Sequence, residues 1–145
     1  RGLFNTLWPG RCEVIRRNPY VVIDGAQNAA SARVLKEAIR GCFPRNKYKR
    51  LILVLGISSD KDIKGICSEL YSLADKVILT KAESARASDP HVLAEYFHGK
   101  EKYITNSVSQ ARRLSMRLAA KRDLILVSGS LFVIGEFKYG KRRFN

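Results

Sequence analysis

Four short polar segments of this chain lie where a β-rich run gives way to a helical pattern, and they hold most of the side chains able to do chemistry. The first reads Asp24-Gly25-Ala26-Gln27-Asn28. An acid at a strand end, a glycine for a tight turn and a helix start together make a place where free N–H groups meet anions. Asp24 can accept ribose hydroxyls or order a metal-bound water; the alternative is that Asp24 or Asn28 simply caps the helix. The second segment, Gly56-Ile57-Ser58-Ser59-Asp60-Lys61-Asp62, puts Lys61 near a helix start, where it can meet a carboxylate or phosphate or stay solvated beside a cap. The third runs from Lys81 to Ala87 and holds Arg86, whose planar fork fits a carboxylate bidentately; a plain surface arginine is the other reading. The fourth, Ser128-Gly129-Ser130-Leu131-Phe132, has small hydroxyl residues that let backbone and side-chain donors approach a ligand.

Other chemistries lack their residues. Ser130 is not a nucleophile elbow, because glycine is missing two residues before it. His91 and His98 flank one amphipathic pattern and read as surface residues. There is no GxxxxGK[ST] phosphate loop, no GxGxxG and no zinc spacing. The chain is therefore expected to hold no metal site and no phosphoryl-transfer apparatus of its own.

The elements that must position these loops follow from hydrophobic period. Cys12–Ile15 and Tyr20–Ile23 read as short strands around the turn composition Arg17-Asn18-Pro19. Leu51–Leu55, Val77–Thr80 and Leu124–Val127 are continuous apolar runs, as strands buried on both faces require, and Tyr103-Ile104 is a further short strand. Helices are predicted over Ala29–Cys42, with Ala32, Val34, Leu35, Ala38, Ile39 and Cys42 inward, and over 61–73, capped by Asp60 or Ser59. Another starts at Asp89-Pro90, with Val92, Leu93, Tyr96 and Phe97 inward. Ser107–Ala120, with Val108, Ala111, Leu114 and Leu118 inward, and Ser130–Phe137 complete the set. Alternating strands and helices predict an α/β fold: a Rossmann-like three-layer α/β/α domain with a mostly parallel sheet of about six strands and one antiparallel edge strand. Ligands of such folds bind beyond the carboxyl ends of the strands, where the four polar segments fall.

The length, 145 residues, suits one domain spanning 1–145. A net charge of +14 favours anionic partners. Much of it lies in clusters: Arg45, Lys47, Lys49 and Arg50; Arg112, Arg113, Arg117, Lys121 and Arg122; Lys138, Lys141, Arg142 and Arg143. These read as solvated faces and a tail. Cys12, Cys42 and Cys67 are odd in number and far apart, which predicts buried free thiols in a reducing cytoplasm. No membrane span or signal peptide is expected. The start at Arg1, without Met, suggests a processed product or an excised piece.

Several blocks together resemble one family. Trp8-Pro9-Gly10-Arg11 followed by Asp24-Gly25-Ala26-Gln27-Asn28 is similar to the opening of the C-terminal domain of folylpolyglutamate synthases, members of the Mur ligase superfamily. Leu53-Val54-Leu55-Gly56 with Asp60-Lys61-Asp62-Ile63, then Thr80, Arg86-Ala87 and Pro90, then Ser128-Gly129-Ser130-Leu131, follow in the same order. The resemblance implies an ATP-dependent ligase that joins L-glutamate to a folate polyglutamate tail through an acyl phosphate; some members also add the first glutamate to dihydropteroate. It implies a preceding ATPase domain, absent from this chain, that carries the phosphate loop and most of the Mg²⁺ ligands. It assigns Arg11 to the ATP phosphates and Asp24 to the ribose, with Gln27 and Asn28 beside them. Arg86, Ser130 and, more weakly, Lys61 are assigned to the incoming glutamate. Gln27 stands where the family more often has histidine; it keeps a donor and an acceptor but cannot titrate. Partners implied are ATP, L-glutamate, folate polyglutamate and the ATPase domain, in a monomer without membrane or nucleic-acid contacts. Another Mur-type amino-acid ligase, or a basic nucleic-acid-binding module, is the competing reading.

Overall fold

The computed structural model of the protein describes residues 10–140. Among these residues six strands form one sheet in the order β1-β2-β6-β3-β4-β5: β1 (Glu13–Arg16), β2 (Tyr20–Asp24), β3 (Leu51–Leu55), β4 (Lys76–Leu79), β5 (Glu101–Ile104) and β6 (Leu124–Ser128). Only β1 runs antiparallel, against β2; the remaining neighbours are parallel. Every residue of β3 and β6 is buried, as their unbroken apolar runs require. The predicted Rossmann-like architecture is the one observed.

Alternate strand residues feed two cores. Val22, Leu53, Leu55 and Leu126 pack under α1 (Ala29–Cys42), α2 (Ile63–Leu70) and α3 (Pro90–Ala94). Ile23, Val54 and Val127 pack on the opposite face, under α4 (Val108–Leu118) and α5 (Leu131–Tyr139). β6, last in sequence, lies between β2 and β3, so the strand order reverses there. Asp24 and Leu55 both pair in register with Ser128, so the loops after β2, β3 and β6 leave the sheet at one level.

Some details depart from expectation. Asp62, not Asp60 or Ser59, caps α2, its carboxylate accepting from the Gly65 N–H at 3.0 Å. The helix expected over 61–73 is a shorter α-helix followed by a 3₁₀ turn, Tyr71–Leu73. α3 ends at Ala94, leaving Val92 and Tyr96 exposed while Leu93 and Phe97 are buried. Val34 is 61% exposed because its position points away from the sheet beside inward Leu35. In α4, Leu114 and Leu118 are half-buried, and Ser115 is buried with its hydroxyl donating to the Arg112 carbonyl at 2.8 Å. All three cysteines are free, but only Cys67 is buried; Cys12 and Cys42 are half-buried because each sits at the margin of its core. Among the described residues no helix is long and apolar enough to cross a membrane.

Candidate functional site

On the β2 side, Asp24 organises the strand end. Its carboxylate oxygens accept from the N–H groups of Cys12 and Ala26, each at 2.9 Å, and the residue is 7% exposed. Burial raises its pKa, an effect only partly offset by those two donors and the Arg11 charge. The same burial, reinforced by the Asp24 carboxylate, pushes the Cys12 thiol up to about 12, so it stays protonated. Gly25 N–H donates to the Gly10 carbonyl at 2.7 Å, which pins the turn carrying Arg11 to the Asp24 loop. Arg11 itself is exposed.

The helix cap goes to Asn28. Its side-chain oxygen accepts from Ser31 N–H at 2.7 Å in a reciprocal capping box, which leaves its NH₂ group for any ligand. Gln27 uses its backbone N–H on the Ser31 hydroxyl at 3.2 Å. Trp8 and Pro9, which open the first block, lie outside the described residues.

On the β3 and β4 side, two loops are zipped together. Ser58 and Ala87 form an antiparallel bridge. Ser59 N–H donates to the Arg86 carbonyl at 2.7 Å and Ser88 N–H to the Ile57 carbonyl at 2.9 Å. This platform presents Arg86, whose exposed guanidinium lies 3.9 Å from the Asp60 carboxylate. An exposed pair at that distance is worth well under about 1 kcal/mol, so Arg86 stays available. Lys61 is exposed on the same platform.

Between the two sides sits the start of α5. Ser130 is 6% exposed and caps the helix, its hydroxyl accepting from Phe132 N–H at 3.0 Å. With Ser58, Ala82, Ser84, Ala87 and Phe132 it lines a small hollow beside the two zipped loops. Gly129 makes this approach possible: at φ +107, an added Cβ would stand 2.2 Å from the Gly56 carbonyl oxygen. The hydroxyls of Ser128 and Thr80, at the ends of β6 and β4, are buried without a partner among the described residues. Beyond the rim, Leu131 and Phe132 are exposed apolar side chains.

The structure thus brings Arg11, Asp24, Gln27 and Asn28 to one side of this edge and Arg86 and Lys61 to the other, with Ser130 between them. β2 and β4 are three strand spacings apart, roughly 14 Å. Among the described residues no three His, Cys, Asp or Glu side chains converge on a metal position. Sequence reasoning missed Glu13, Glu136 and Lys138, which hold the two loops. One signal was there: Glu136 and Lys138 interrupt the otherwise apolar Leu131–Tyr139.

Residues 10–131 match the family model described as Mur ligase, glutamate ligase domain. The probable bifunctional folylpolyglutamate synthase/dihydropteroate synthase of Haloferax volcanii is 36% identical over 143 residues, covering 94% of this chain and 16% of that protein. Among solved structures, Escherichia coli FolC in complex with DHPP and ADP superimposes with a TM-score of 0.83 at 29% identity, over 91% of this chain and 31% of that one. A bifunctional folylpolyglutamate synthase/dihydrofolate synthase with Mn, AMPPNP and L-glutamate bound gives 0.76 at 25% identity, over 91% and 32%. The chain spans about a sixth of the first relative and a third of each solved chain.

Proposed function

Since this chain belongs to the Mur ligase glutamate-ligase-domain family, we propose that it is the ATP- and glutamate-contacting domain of a ligase that extends folate polyglutamate tails. In that reaction the tail's terminal γ-carboxylate takes the γ-phosphoryl group of ATP, the β–γ anhydride bond breaks, and ADP leaves. The amine of L-glutamate then attacks the acyl phosphate, an amide bond forms, and inorganic phosphate leaves. Dihydropteroate is a further acceptor in this reading.

The observation that carries the reading is the placement of two exposed arginines, Arg11 and Arg86, on separate loops at one sheet edge, with the N-terminus of α5 between them. Arg11 stabilises negative charge on the phosphates during transfer. Asp24, already held by two N–H donors, keeps lone pairs for ribose hydroxyls, and Gln27 and Asn28 offer amide donors beside it. Arg86 grips the α-carboxylate of glutamate bidentately. Ser130, with its oxygen engaged by Phe132, directs its hydroxyl proton to the same substrate, and Lys61 adds charge. Mg²⁺ would neutralise phosphate charge, bound mainly by groups of a preceding ATPase domain and not by these residues. On its own the domain is expected to give no ATP-dependent ligation.

Arg86→Ala in the full-length ligase tests this. The KM for glutamate should rise at least about tenfold, equivalent to about 1.4 kcal/mol, while that for ATP changes by less than about twofold. An equal or reversed effect refutes the assignment of Arg86.

A further inference from the structure

Two charged side chains on α5 reach the two arginine-bearing loops separately. Glu136 accepts from the backbone N–H of Glu83 at 3.0 Å and so ties the Lys81–Ala87 loop to the helix. Lys138 donates to the Glu13 carboxylate at 2.5 Å. The other Glu13 oxygen accepts from Gly10 N–H at 2.9 Å, and the Gly10 carbonyl accepts from Gly25 at 2.7 Å. That chain of contacts ends at the turn holding Arg11.

Helix geometry explains why one helix can serve both sides. Residues three or four apart share a face. Val133 and Glu136 face the β3 side, where a Cβ on Gly56 would meet Val133 Cγ2 at 2.8 Å. Ile134 and Lys138 face the β2 side, where a Cβ on Gly10 would meet Ile134 Cδ1 at 2.9 Å. The far end of α5 is itself fixed, because the Arg112 guanidinium donates to the Phe137 carbonyl and lies 5.4 Å from the Phe137 ring centroid. The near end carries Ser130.

We infer that α5 is a positioning helix that sets both ligand-reading arginines independently: Glu136 places Arg86 through the Glu83 backbone, and Lys138 places Arg11 through Glu13. Neither residue touches substrate. The inference rests on the roles proposed above for Arg86 and Arg11.

The test is steady-state kinetics of the full-length ligase. Glu136→Ala should raise the glutamate KM about five- to tenfold and leave the ATP KM within about twofold; Lys138→Ala should do the reverse. Glu136→Gln should restore the parent glutamate KM, because its amide oxygen still accepts from Glu83 N–H. Glu136→Asp keeps the charge but stops short of the loop, so it should behave like Ala; it also serves if the Ala variant does not fold. Arg86→Ala/Glu136→Ala should match Arg86→Ala alone, since contacts acting through one group are not additive. If Glu136→Asp leaves glutamate KM unchanged, or the double variant shows the product of the single effects, the positioning role is wrong while Arg86 keeps its own. If Arg86→Ala itself leaves glutamate KM unchanged, the underlying reading fails first.

Discussion

Two buried aspartates at opposite edges of the sheet do opposite jobs. Asp123, just before β6 at the amino edge, is fully buried; its carboxylate accepts from Arg50 Nη2 at 2.8 Å, Arg50 N–H at 3.2 Å and Ala120 N–H at 2.7 Å. Burial pushes its pKa up, but the Arg50 guanidinium and those N–H donors more than offset this, and the net direction is down. Asp24, ending β2 at the carboxyl edge, has two backbone donors and, among the described residues, no guanidinium within salt-bridge distance, and burial leaves its pKa raised. The amino edge is closed by charges that satisfy one another, as Arg45 with Asp75 repeats at 3.1 Å. At the carboxyl edge the acid is held by the backbone, and Arg11 and Arg86 stand exposed.

The largest expected effect lies at the closed edge. Asp123→Ala strands the N–H groups of Arg50 and Ala120, and unpaired buried donors cost roughly 1–3 kcal/mol each. A loss of about 3 kcal/mol in urea unfolding is expected, and it should fade in acid. A depressed folded pKa gives stability that is present above the unfolded aspartate value, about 3.9, and is lost as pH falls through the folded value. If Asp123→Ala costs less than the matching change at Asp24, the division between the edges is wrong.

Asp24→Asn should be milder and opposite in sign with pH. A raised folded pKa means the native state holds the proton more tightly than the unfolded chain. Ionising Asp24 therefore costs stability as pH rises from about 4, the ordinary value. Asparagine removes that cost but loses one acceptor for Cys12 or Ala26 N–H. The two terms offset, and the net change at neutral pH should be within about 1 kcal/mol, with stability rising more steeply with pH than in the parent. An unchanged pH slope would show that Asp24 is not desolvated as its burial implies.

The strands were legible because Leu51–Leu55 and Leu124–Val127 are apolar without a break, and only doubly covered strands look like that. The loops were legible because each follows such a run. Side-chain direction was less so: Val34 and Val92 are apolar yet point to solvent, since composition does not show which side of a helix meets the sheet. The clasps were hidden by distance along the chain. Glu13 and Lys138 are 125 residues apart and Glu83 and Glu136 are 53 apart, so no local pattern joins them. Asp24 and Arg86 could be named from their loops and Arg11 from the family resemblance, but not what holds them there.

The smallest expected effect sharpens the comparison most. Gln27 is half-buried at the open edge and, among the described residues, uses only its backbone N–H, donating to Ser31. Its side chain is therefore free to meet a ligand, and replacing it breaks nothing in the fold. Gln27→His should change stability by less than about 0.5 kcal/mol. If this position works by hydrogen bonding, neutral histidine supplies one donor and one acceptor as glutamine does. The full-length ligase should then keep kcat/KM within about threefold at pH 8, under about 0.7 kcal/mol. The variant should also show no new inflection near pH 6.5, the ordinary histidine value. A large gain in activity that titrates there would mean the position moves a proton in the reaction. The open edge would then hold an acid–base role that glutamine forgoes, and would be more than a set of ligand-holding charges and dipoles.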